Sequence, residues 1–102
     1  MAPVQCRSES VVEGQVVKWC VEQGIICFKF TPQGRRGWPD RQFICEGRVA
    51  FIEFKAVGDK PRPLQAHCLR LLNDAGIPAI WSDNFEESIK FLQNHFDLTN
   101  TK

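Results

Sequence analysis

Asp40, Glu53 and Lys55 are the residues of this sequence whose types and spacing could do chemistry together. Two acids with twelve residues between them, and a lysine two positions beyond the second, could trap a divalent cation beside an anionic substrate. The spacing has a geometric consequence. Glu46-Gly47 suits the centre of a β-hairpin, with glycine able to take a positive φ. That turn sets Cys45 opposite Arg48, Phe43 opposite Ala50 and Asp40 opposite Glu53. Directly opposed residues share one face of a sheet, and the period of two puts Lys55 on it as well. Like charges facing each other destabilise a strand pair, and a cation between the carboxylates removes that penalty. An all-oxygen ligand set suits Mg²⁺ or Mn²⁺, and a water kept by such an ion could become a nucleophile. The bland alternative makes Glu53 and Lys55 a solvated strand face and Asp40 a turn residue after Pro39. The large apolar neighbours Phe51, Ile52 and Phe54 argue against it, because charges at the end of a buried strand usually have a reason.

Basic residues gather around these three positions. Between Lys29 and Arg62 stand eight Lys or Arg and four Asp or Glu, two of which are the proposed metal ligands. Arg35 and Arg36 occupy a Gly-flanked loop just before Asp40, and Lys60 and Arg62 a loop just after Lys55. Both loops could grip backbone phosphates.

The elements that must position this set can be read from periodicity and punctuation. The spacing of Val12, Val16, Trp19 and Cys20 predicts a first helix over 9–23, capped by Ser8 or Ser10 and ended by Gly24. Strands are expected over 25–30, 40–45 and 49–55. The loop 31–39 between the first two holds two prolines and two glycines. Pro63 opens a second helix whose buried face is expected to be Leu64, Cys68, Leu71, Leu72 and Ala75, with Gly76 at its end. A fourth strand over 78–81 follows. Asp83 with Glu86 forms a capping box for a third helix lined by Phe85, Ile89, Leu92 and Phe96. The order αβββαβα describes an α/β fold, a four-stranded mixed sheet flanked by helices. Its first three strands form an antiparallel meander, and its last pair is parallel through a helical crossover.

Composition bounds the rest. The chain has 102 residues, 43% hydrophobic and 25% charged, which suits one globular domain and excludes a disordered or fibrous chain. Residues 1–7 and 97–102 are expected to be frayed ends. The net charge of +1 provides no global basic field, so any nucleic-acid binding must come from local clustering. Five cysteines, with no Cys-x-x-Cys pair, read as small hydrophobes in a reducing cell rather than as ligands of zinc or an iron–sulfur cluster. There is no apolar run of membrane-spanning length and no secretory signal at the start, so a cytoplasmic location is expected, with no membrane partner and no small-molecule cofactor.

Pro39-Asp40, followed after twelve residues by Glu53-Phe54-Lys55, resembles the PD-(D/E)XK signature of restriction-endonuclease-like nucleases. The surroundings are more specific. Gly34-Arg35-Arg36-Gly37-Trp38-Pro39-Asp40-Arg41, Phe51-Ile52-Glu53-Phe54-Lys55-Ala56 and Lys60-Pro61-Arg62-Pro63-Leu64-Gln65 resemble three segments of the virus-type replication-repair nuclease (VRR-NUC) domain. The resemblance implies a restriction-endonuclease-like core over nearly the whole chain. Asp40 and Glu53 would hold Mg²⁺ or Mn²⁺ with the Phe54 main-chain carbonyl. Lys55 would position water and the scissile phosphate, and Gln65 would orient one of them. An acid on the first helix completes that pattern as a catalytic group and further metal ligand. Glu13 fits best, and Glu9, one turn earlier, is the fallback. Ser10-x-x-Glu13 is also a capping box, which alone could explain that glutamate. Phe54 departs from the smaller aliphatic residue usual there, and its side chain should face away from the acids.

The reading that results is a metal-dependent DNA endonuclease that recognises backbone and shape rather than base sequence. A two-fold homodimer is the simplest way for it to cut two strands. Stand-alone members of the resembled family imply branched substrates of the Holliday-junction kind, in DNA repair or recombination, and a bacterial or phage source. The alternative from another class is a non-catalytic nucleic-acid-binding module, whose affinity would fall with salt and need no metal.

Overall fold

The computed structural model describes residues 8–98. Its elements are α1 (Glu9–Gln23), β1 (Ile26–Lys29), β2 (Arg41–Cys45), β3 (Arg48–Phe54), α2 (Pro63–Asp74), β4 (Ala79–Ser82) and α3 (Phe85–Phe96), the expected order αβββαβα. The four strands lie side by side in chain order. β1, β2 and β3 are antiparallel, and β4 joins β3 in parallel through α2. Among the described residues no helix is long and apolar enough to cross a membrane.

The β2–β3 hairpin turns through Glu46 and Gly47, with φ of 49° and 80°. Two successive positive φ values are the mark of the type I′ turn, whose twist matches that of the strands. Its two-residue length fixes the pairing: Cys45 lies opposite Arg48, Phe43 opposite Ala50 and Arg41 opposite Ile52. Asp40 therefore falls one step beyond the ladder, at the level of Glu53.

The sheet separates two packed layers. Ala50, Ile52 and Phe54 of β3 and Phe43 of β2 face α1 and α3, where they meet Val12, Val16, Cys20, Ile89, Leu92 and Phe96. The alternate residues of β3 face α2, and Phe51 packs there with Leu69 and Ala79. Asn73 ties α2 to β4, donating to the Leu69 and Ala79 carbonyls and accepting from the Ala79 N–H.

Local signals set most boundaries. The Ser8 side chain accepts from the Val11 N–H, so Ser8 caps α1, and Ser10 lies inside the helix rather than forming a box with Glu13. Gly24, at φ 75°, closes α1 by donating to the Cys20 and Val21 carbonyls. Asn84, not Asp83, caps α3, and its side chain accepts from the Glu87 N–H at 2.7 Å. The expected buried face of α2 is corrected: Leu64, Leu71 and Ala75 are exposed, and the helix instead turns Gln65, Cys68, Leu69 and Leu72 inward. The helix also stops a residue early, with Ala75 as its C-cap. Of the expected frayed ends, residues 1–7 and 99–102 lie outside the described residues. Asp97 and Leu98 instead finish α3. Asp97 takes φ 59°, and Leu98 donates to the Gln93 carbonyl and packs on the core.

Candidate active site

Four of the residues singled out by sequence meet where β2 begins and β3 ends, beside the first turn of α2. Glu53 is 4% exposed and Lys55 7%, both on the α2 side of β3. Lys55 Nζ stands 3.4 Å from Glu53 Oε2, as alternation along an extended strand requires. Gln65 Nε2 donates to the same oxygen at 2.9 Å. The orientation of that amide is settled at its other end, where Gln65 Oε1 accepts from the Arg62 N–H at 2.8 Å. One side chain thus satisfies a free N–H at the start of α2 and points a donor at Glu53. Asp40 Oδ2 accepts from the Phe54 N–H at 2.9 Å, taking over the backbone donor left free where the ladder stops.

Electrostatically this corner is under-neutralised. Burial pushes the Glu53 carboxyl up to about 7, the Asp40 charge pushes the same way, and Lys55 only partly offsets them. Burial also raises Asp40, with help from the Glu13 and Glu9 charges, while the Phe54 N–H and Lys55 pull back. Glu53 Oε1 is buried and has no hydrogen-bond partner among the described residues. Leaving such an oxygen bare costs on the order of 1–3 kcal/mol or more. An orphaned carboxylate oxygen, with a second carboxylate beside it, fits a hard cation. Among the described residues no three His, Cys, Asp or Glu side chains are gathered closely enough to hold a metal by themselves. The side-chain donors at this corner are therefore two carboxylates, a set that would suit Mg²⁺, which usually keeps several waters.

The acid from α1 is placed differently. Glu13 approaches from the opposite side of the sheet, and its Oε2 accepts from Arg41 Nε at 2.6 Å. Its charge reaches Asp40 but its side chain is tied to Arg41. Glu9 is exposed, and its charge is felt at both Asp40 and Glu53. Arg41 was not anticipated as a partner. Its only sequence signal is its position directly after Asp40.

The basic loops flank this corner, and Arg35, Arg36, Lys60 and Arg62 are all exposed. The Arg35 guanidinium lies over the Trp38 ring, 5.2 Å from its centroid. The Cys68 thiol donates to the Arg36 carbonyl, which clips this loop to α2. Gly37 is required at the join. It has φ 83°, and a Cβ there would lie 2.7 Å from Leu64 Cγ. The loop after β3 is also held, since Lys55 N–H donates to the Ser82 carbonyl and Gly58 N–H to Asp83 Oδ2. A cavity of about 240 Å³ opens elsewhere, lined by Val12, Gln15, Val57, Asp83, Asn84, Phe85 and Glu86. Its two acids suit it poorly to a phosphate.

Comparison with known proteins places the fold. One solved structure, described as "VRR_NUC domain", superposes with a TM-score of 0.77 at 24% identity, over 85% of this chain and 96% of that one. A second, "VRR_NUC domain protein", gives 0.72 at 19% identity, over 96% and 95%. The chain has the VRR_NUC fold, as the sequence resemblance implies. No protein-family model matches the sequence. A curated relative, "Putative nuclease p44" of Acyrthosiphon pisum secondary endosymbiont phage 1, is 41% identical over 58 residues. The match spans 56% of this chain and 62% of that relative's length.

Proposed function

We propose that this chain is a metal-dependent, structure-specific DNA endonuclease that hydrolyses phosphodiester bonds of branched DNA such as Holliday junctions and acts as a homodimer. The observation that carries the reading is Glu53: a carboxylate only 4% exposed, with one oxygen unpartnered among the described residues, at the end of a strand pair beside Asp40 and Lys55. The VRR_NUC fold and the nuclease-named phage relative support the same class.

Asp40, Glu53 and the Phe54 carbonyl would hold Mg²⁺ or Mn²⁺. Bound there, the ion would supply a water of lowered pKa and neutralise charge on the scissile phosphate. The chain's own groups do the rest. The Lys55 ammonium, nearly buried and 3.4 Å from Glu53, is placed to hold a phosphate oxygen and steady the attacking water. The Gln65 amide fixes the Glu53 carboxylate and has a second N–H to offer that water as a hydrogen-bond donor. Glu13, held by Arg41, acts on Asp40 through its charge. Arg35, Arg36, Lys60 and Arg62 lie on loops clipped to α2 and β4, so they offer phosphates a fixed array rather than a loose tail. Edge strand β1 exposes Ile26 and Phe28 to 57% and 45%, an apolar surface on which a second copy could seat.

The test is cleavage of four-way junction, flap and linear duplex DNA with Mg²⁺ or Mn²⁺, beside a mass measurement in solution. Metal-dependent cuts that vanish in Glu53→Gln are expected. Salt-sensitive binding without cleavage of any substrate would instead establish the non-catalytic module, and a monomeric mass in the presence of DNA would remove the dimer.

A further inference from the structure

Trp81 stands on edge strand β4 with its Cα partnered to Glu53 of β3. Partners in adjacent strands project to the same face, so the indole shares the α2 side of the sheet with the buried carboxylate. On the other side of Glu53, the Phe30 N–H donates to the Asp40 carbonyl at 2.8 Å, which continues the β1–β2 register by one step. The last row across the sheet therefore reads Phe30, Asp40, Glu53, Trp81: two acids between two rings. The rings are used differently. Phe30 packs edge-on against Phe51 at 4.8 Å and is partly buried. Trp81 is 37% exposed, belongs to neither buried cluster, and its indole N–H has no hydrogen-bond partner among the described residues. Its strand is tied on both sides at the next residue, where the Ser82 carbonyl accepts from the Lys55 N–H and the Ser82 hydroxyl accepts from the Ser88 hydroxyl.

A part-exposed indole held one strand from the candidate nuclease corner has a natural ligand, the face of a nucleobase. In a continuous duplex both faces of each base are already stacked. Only a nucleotide at a break in stacking presents one to a protein ring. We infer that Trp81 is a base-stacking subsite for an unpaired nucleobase beside the scissile phosphate. The nuclease would thereby favour branch points, flaps and bulges without reading base sequence. This rests on the nuclease reading above and supplies the recognition element it lacks.

The experiment pairs Trp81→Ala and Trp81→Phe with two flap substrates, one carrying a base and one an abasic site at the unpaired position next to the cut. Wild-type kcat/KM should fall about five- to a hundredfold on the abasic substrate. Trp81→Ala should show that loss on the intact substrate and little more on the abasic one, while Trp81→Phe keeps most of the preference. Equal loss for Trp81→Ala on both substrates, or no loss on either, overturns the subsite. Stacking is also read without cleavage, by the quench of 2-aminopurine placed at the unpaired position. A quench in wild type that disappears in Trp81→Ala supports the subsite even if no strand is cut, in which event only the nuclease reading fails. No difference in quench between the two overturns it.

Discussion

On the face covered by α1 and α3, Ala50, Ile52 and Phe54 of β3 are wholly buried among apolar side chains. On the face covered by α2, the alternating residues Val49, Phe51 and Glu53 of the same strand, and Lys55 just beyond it, run from apolar to charged. One strand thus serves a closed layer and a half-open one. The closed layer is held by three elements packed together and tolerates no polar atom without a partner. In the open layer a single helix covers the apolar half and offers its first turn, through Gln65, to the charged half. Stability and chemistry are separated by the pleat of the strand, one residue apart in sequence.

Substitutions at neighbouring positions should break the two layers separately. The largest effect is expected for Glu53→Gln and Asp40→Asn, which should lower cleavage roughly a thousandfold or more while leaving the melting temperature unchanged or higher. Phe54→Ala, next door but facing α1 and α3, should do the reverse: about 3–5 kcal/mol of stability lost in chemical denaturation. Its residual activity should scale with the folded fraction. If Glu53→Gln unfolds the chain as Phe54→Ala does, the separation of the layers is wrong.

Proton linkage sharpens the comparison at an intermediate size. The Glu53 carboxyl rises from 4.5 to about 7 on folding. Between those values the folded chain holds a proton that the unfolded chain has released, so folding is favoured at the acid end. Metal-free wild type should lose about 3 kcal/mol relative to Glu53→Gln as pH rises through that window, and the difference should be flat above it. Saturating Mg²⁺ should restore the loss at pH 8. Denaturation curves of both proteins between pH 4.5 and 8 measure this. A smaller effect is expected at the rim. Arg35→Ala and Arg36→Ala should each lower the slope of log affinity against log salt by about one, equally for every DNA sequence.

Much of this arrangement was legible in the chain. Asp40, Glu53 and Lys55 could be placed together because a two-residue turn and a period of two leave the hairpin no freedom of register. The closed layer was legible for the same reason that it is closed: Val12, Val16, Cys20, Ile89, Leu92 and Phe96 are apolar at helical spacing on helices with one wet side. α2 was misread because leucines at 64 and 71 made a plausible stripe. Its true inward face is turned by less than one residue step, about 100° on a helix, toward Gln65 and Leu69. That rotation is set by the sheet and by Gly37, which lets the arginine loop settle on Leu64, and neither is local to the helix. The ion pair of Glu13 with Arg41 was hidden likewise, since it joins α1 to a strand 28 positions away.

The Glu46-Gly47 turn acts as a ruler for the whole molecule. Its two residues count off the distance at which the acids come level, and nothing else in the hairpin does so. One extra residue inserted there would leave the hydrophobic sequence intact but turn it inside out on one strand, sending Glu53 and Lys55 into grease and Phe54 into water. A link of two residues thereby decides which side of the sheet carries the charged corner.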